Sequence, residues 1–122
     1  MSTTLETALA FVDRHVAACP PVDGYYGLDA RMVVVVKAPV ARSVEEIHFQ
    51  LPTNMEHARP ALMRLVEEAS DINIRDRGSS LYHHADLTTA TGLRFSLCLT
   101  DAERQIVEAA VIARAFASAG AA

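Results

Sequence analysis

At 122 residues, 51% hydrophobic and 21% charged, the chain has the length and composition of one globular domain, too short for two ordinary cores and too apolar for disorder. Its 15 acidic and 11 basic residues give a net charge of −4, and the scattered Lys and Arg positions exclude the basic stripe that a nucleic-acid backbone requires. No window reaches the roughly 20 apolar residues of a membrane span. The polar start MSTTLETALAFVDRH, with Glu6 and Asp13, is unlike a secretion signal, and Cys19 and Cys98 have neither metal-knuckle nor disulfide-framework spacing. A cytoplasmic protein with two reduced thiols and no cofactor, metal, membrane or nucleic-acid partner is expected.

Residues 3–18 carry Leu5, Ala8, Leu9, Val12 and Val16 at helical spacing, with Thr3 and Glu6 in the form of a capping box, and Pro20-Pro21 end this helix. Residues 22–30 place the Tyr25-Tyr26 pair between two glycines, in a turn or a short edge strand. The run MVVVV over residues 32–36 is disfavoured in a helix and predicts a central strand covered on both faces. Residues 44–51 alternate, with Ile47, Phe49 and Leu51 on one side and Glu46, His48 and Gln50 on the other, which predicts a half-buried strand.

A second helix follows Pro52, with Thr53 and Glu56 as a further capping box and Leu62, Leu65, Val66 and Ala69 as its apolar stripe. Pro60 either kinks this helix or begins its regular part. Residues 72–75 can form a short strand before the turn Arg77-Gly78-Ser79-Ser80. The alternating segments 81–88 and 93–99, joined by Thr89-Ala90-Thr91-Gly92, predict an antiparallel hairpin. Thr100 and Glu103 open the last helix, which runs to about Ala117. Ile106, Val107, Ala110, Ala113 and Phe116 line it, and residues 119–122 should fray.

The chain is thus expected to be one α+β domain over residues 1–122, a single antiparallel sheet of four or five strands with three helices in the order α-β-β-(β)-α-(β)-β-β-α. One sheet face should bury Ile47, Phe49, Leu93, Phe95 and Leu97 beneath helices. The other should present Glu46, His48, Gln50, Tyr82, His84, Asp86, Arg94 and Ser96.

No phosphate-binding, hydrolase or metalloprotease motif occurs. The best chemical grouping is His48, His84 and Asp86, which could converge if their strands are neighbours; solvated polar residues are the simpler reading. His83 falls on the apolar side of its strand, while His15 and His57 are placed on helix surfaces or ends. Cys98 points outward, where His84 could act on it, although without a placed base it is not assigned a catalytic role. The pairs Glu45-Glu46 and Glu67-Glu68 read as solvated charge.

These residues favour a small protein-binding module, adaptor-like or chaperone-like, that is homodimeric and without catalytic activity. Tyr25, Tyr26, His48, Tyr82, His84, Asp86 and Arg94 are the candidate contact residues, and another polypeptide or a second copy is the expected partner. The alternative is a small enzyme or a metal- or ligand-binding protein using the polar face around His48, His84 and Asp86. In element order the chain resembles small acidic bacterial secretion chaperones if residues 22–28 form a strand, and roadblock-type dimeric scaffolds if residues 72–75 do.

Overall fold

A computed structural model describes residues 3–21, 27–37, 41–52, 55–75 and 82–120. The elements are β1 (Thr3–Thr4), α1 (Leu5–Ala18), β2 (Asp29–Lys37), β3 (Ala41–Gln50), α2 (Met55–Glu68), β4 (Ala69–Arg75), β5 (His83–Thr89), β6 (Arg94–Leu99) and α3 (Asp101–Gly120). The α+β class and the three helices are as expected. Tyr25, Tyr26, Thr53, Leu81 and the turn at residues 77–80 lie outside the described residues, as do the last two residues of the expected fraying end.

The sheet runs β1-β3-β6-β5-β4, with β2 on the far side of β3. It is mostly antiparallel, as expected, with one parallel pair, β3 and β6, joined through His48↔Ser96 and Phe49↔Leu97. The physical reason is the connection: β3 and β6 are not consecutive, and a hairpin is the only link that forces antiparallel pairing. The strand at residues 72–75 is real and longer than expected, running from Ala69 to Arg75; of residues 22–28, only 27 and 28 are described, and both are outside any strand.

The valine run sits in β2, which among the described residues pairs only with β3, so it lies at the edge of the described sheet and not in the covered central strand predicted from its composition. Val33 and Val34 are exposed. β-Branched residues favour extended backbone whether or not their faces are covered, so the run specified a strand but not its place. Opposite the step from Val33 to Val34 the register shifts: Val33 faces Glu46 while Val34 faces Val44, leaving Glu45 as the extra residue of a bulge. That bulge lets Val44 and Ile47 both be buried, and puts the Glu45-Glu46 pair in solvent.

The core lies between one sheet face and the helices. Phe11 of α1, Phe49 of β3 and Phe95 of β6 form an aromatic triad with ring centroids 5.2–5.9 Å apart, and Ala58, Leu62, Leu65 and Val66 of α2 join the same cluster. Ile47, Phe49, Leu93, Phe95 and Leu97 are all buried, as the alternation requires. His15 is a correction: it is only 4% exposed, tilted on Phe11 at 4.7 Å and 3.4 Å from Glu68 Oε2. Its i, i+4 relation to Phe11 carries it inward.

Local chemistry fixes the ends. Thr4, not Thr3, caps α1, its hydroxyl accepting from the Thr7 amide. Leu28 N–H donates to the Cys19 carbonyl across a contact that needs Gly27, since a Cβ there would stand 2.7 Å from backbone atoms of Pro20 and Pro21. α2 starts at Met55 and runs through Pro60. The β5–β6 hairpin closes through Thr89 and Leu93 with Gly92 at φ 91°. The capping box of α3 is formed as expected: Thr100 N–H donates to Glu103 Oε1 at 2.8 Å, and Glu103 N–H to Thr100 Oγ1.

Only the first half of α3 packs. Val107 is buried and Ile106 and Ala110 are partly so, but Ala113 is exposed and Phe116 is 73% exposed, against the expectation that both line the packed face. The described apolar side chains beyond Ala110, including Val111, Ile112, Ala113 and Phe116, are all exposed. Arg114, in this second half, reaches back and donates to the Val66 carbonyl in the last turn of α2 and the Ala69 carbonyl at the start of β4.

Candidate functional site

The face opposite the helices carries the polar alternates of five strands, and the registers set them in rows. One row runs Arg31, His48, Ser96, Asp86, Asn73 from β2 to β4. A second holds Asp29 and Gln50 at one end and Cys98, His84 and Arg75 at the other. A third holds Val33 and Glu46, then Arg94, Thr88 and Asp71. The twist of the sheet hollows this face into an open depression of about 670 Å³ lined by Glu46, His48, Arg75, His84, Asp86 and Arg94, among others.

His48 and His84 are on β3 and β5, which are not neighbours, because β6 lies between them. The condition set for a shared site on adjacent strands therefore fails. The two rings nevertheless lean over β6 and stack with centroids 6.2 Å apart and planes 12° from parallel. Asp86 is shared between two partners: Arg75 Nη2 donates to its Oδ2 at 2.9 Å, and His84 Nε2 stands 3.3 Å from its Oδ1. Among the described residues no group of three or more His, Cys, Asp or Glu is placed to hold a metal ion.

The closest chemical grouping is one that sequence reasoning did not assemble. His48 Nδ1 is 2.8 Å from Ser96 Oγ, and His48 Nε2 is 3.8 Å from Cys98 Sγ. The imidazole that meets the outward thiol is thus His48, not His84. Burial lowers the His48 pKa below its ordinary value, the neighbouring His84 and Arg31 lower it further, and Glu46 opposes them. A neutral imidazole held by a hydroxyl on one nitrogen can accept a proton on the other.

The remaining candidates are placed as follows. Tyr82 precedes β5 and is exposed, Arg94 is exposed on β6, and His83 on the core side bonds Asp101 Oδ1 at 2.6 Å and Arg104 Nη1 at 3.0 Å. Arg31 and Arg75 belong to the polar face and were not singled out from sequence. Their strands' registers, the only signal that places them there, require the folded sheet.

No protein-family model, curated protein or solved structure matches the chain. None of the helices described is long and apolar enough to cross a membrane. The functional reading rests on the residues themselves.

Proposed function

We propose that this protein is a small protein-binding module that works as a homodimer, with the second half of α3 as its self-association surface. The observation that supports this is the exposure of Val111, Ile112 and Phe116 on a helix whose first half is anchored in the core. Arg114 is the one charged residue between Ala109 and Ala117, and its guanidinium is turned onto the Val66 and Ala69 carbonyls, so this surface offers a partner mostly apolar area beside a single positive charge. A second copy of the same helix matches that chemistry, and a two-fold axis lets each copy cover the other's Phe116. The free Cys19 and Cys98 are suited to the reducing cytosol.

Sedimentation or light scattering of the full chain tests this. The proposal expects twice the 13.2 kDa chain mass at micromolar concentration, and a folded monomer for the Ile112→Glu, Phe116→Glu double variant. A parent chain that stays monomeric at about 100-fold higher concentration overturns it.

The second reading, a small enzyme or ligand-binding protein on the polar face, has one observation in its favour, the meeting of His48 and His84 over β6. It is the weaker reading because Asp86 is held by Arg75 and the depression is open.

A further inference from the structure

We propose that Cys98 is a base-assisted thiol, with His48 as its proton acceptor and Ser96 as the residue that positions the imidazole, and that it exchanges with small disulfides to carry a mixed disulfide on the open sheet face. This goes beyond the binding-module reading and does not depend on self-association, which is assigned to α3.

The thiol does not stand alone. Cys98 is exposed on β6, His48 Nε2 lies 3.8 Å from its Sγ, and Ser96, two residues earlier on the same strand, stands 2.8 Å from His48 Nδ1. With the imidazole proton on Nδ1 and donated to Ser96 Oγ, Nε2 keeps its lone pair toward the S–H. The pairing His48↔Ser96 fixes the imidazole one step along β6 from the thiol, and the stacked His84 ring limits where it can swing. The charged and titratable groups around this pair are Asp29 and Arg31 of β2, Glu46 of β3, Arg75 of β4, His84 and Asp86 of β5, and Arg94 of β6, while the helices pack on the opposite face.

The chemistry balances without a further reagent. Cys98 S–H passes its proton to His48 Nε2, and the thiolate attacks one sulfur of a disulfide R–S–S–R. That S–S bond breaks, a Cys98–S–S–R bond forms, and the departing R–S⁻ takes the proton from the imidazolium and leaves as R–SH. Cys98 is oxidised and one half of the disulfide is reduced. Cys19 supplies the internal contrast: it is buried, and its Sγ sits 3.9 Å from the His57 carbonyl oxygen.

The test uses the full chain with two probes, glutathione disulfide followed by intact mass and peptide mapping, and an aromatic disulfide whose released thiol is read by absorbance. One adduct is expected, at Cys98, with Cys19 unmodified until the chain is unfolded in urea. Near pH 7, Cys98 in the folded chain should react faster than in urea, and His48→Ala and His48→Gln should each slow it by about tenfold or more. That difference should close above about pH 9, where a cysteine ionises unaided. Ser96→Ala should lower the rate near pH 7 by a smaller factor while leaving the rate above about pH 9 unchanged. Circular dichroism confirms that each variant is folded. Equal rates for parent and both His48 variants across this range, or folded Cys98 reacting no faster than in urea, overturn the proposal.

Discussion

The two faces of the sheet are built from the same strands by alternate residues, yet they do opposite work. On one face Phe49, Phe95, Leu97 and Leu99 are at most 3% exposed and locked against Phe11, Leu62 and Val107, so that each position is held by volume. On the other, their immediate chain neighbours His48, Ser96 and Cys98 are held by register and hydrogen bonds, and have room for something else to arrive. The packed face holds the strands in place, and their register sets His48 of β3 beside Cys98 of β6. Stability and chemistry are separated by a single residue step.

Substitutions one residue apart sharpen this contrast. Phe49→Ala should lose about 3–5 kcal/mol, seen as a large drop in the urea midpoint, because it empties the centre of the aromatic triad. Loss of less than about 1 kcal/mol would mean the core is not organised around that ring. Acidification should be the next largest effect. His15, on the core face, has its pKa lowered chiefly by burial, with Glu68 opposing, so the fold favours the neutral ring. The stability this gives is present above the unfolded pKa of about 6.5 and is lost as pH falls below it. The thermal midpoint should therefore decline below about pH 6.5, and His15→Leu should flatten that decline more than His48→Ala does. An unchanged slope in His15→Leu would assign the acid sensitivity to the open face.

Smaller effects follow at positions outside the core cluster. Thr100→Ala removes one side of the α3 capping box and should cost about 1 kcal/mol in denaturant titration. Phe116→Ser and His48→Gln should each change unfolding of the monomer by no more than about 0.5 kcal/mol. The first should alter the assembly state and the second the reactivity of the thiol. A large stability loss from either would show that its side chain is structural after all.

The amino-acid pattern by itself determined the α+β class, the three helices, the β5–β6 hairpin, the capping box at Thr100 and which side of β3, β5 and β6 is apolar. Each follows from local periodicity and turn chemistry, which act over a few residues. The tertiary structure alone decided that the valine run lies at the edge of the described sheet, that β3 and β6 are parallel, that His15 is interior and that Phe116 of α3 is exposed. These depend on which distant segments pair, and alternation is the same for an edge or a central strand and for either direction of a neighbour. The candidate site shows the same division. His48, His84, Asp86 and Arg94 could be assigned to one face from their parity, but the approach of His48 to Cys98 is set by a pairing across 48 residues that no local pattern encodes.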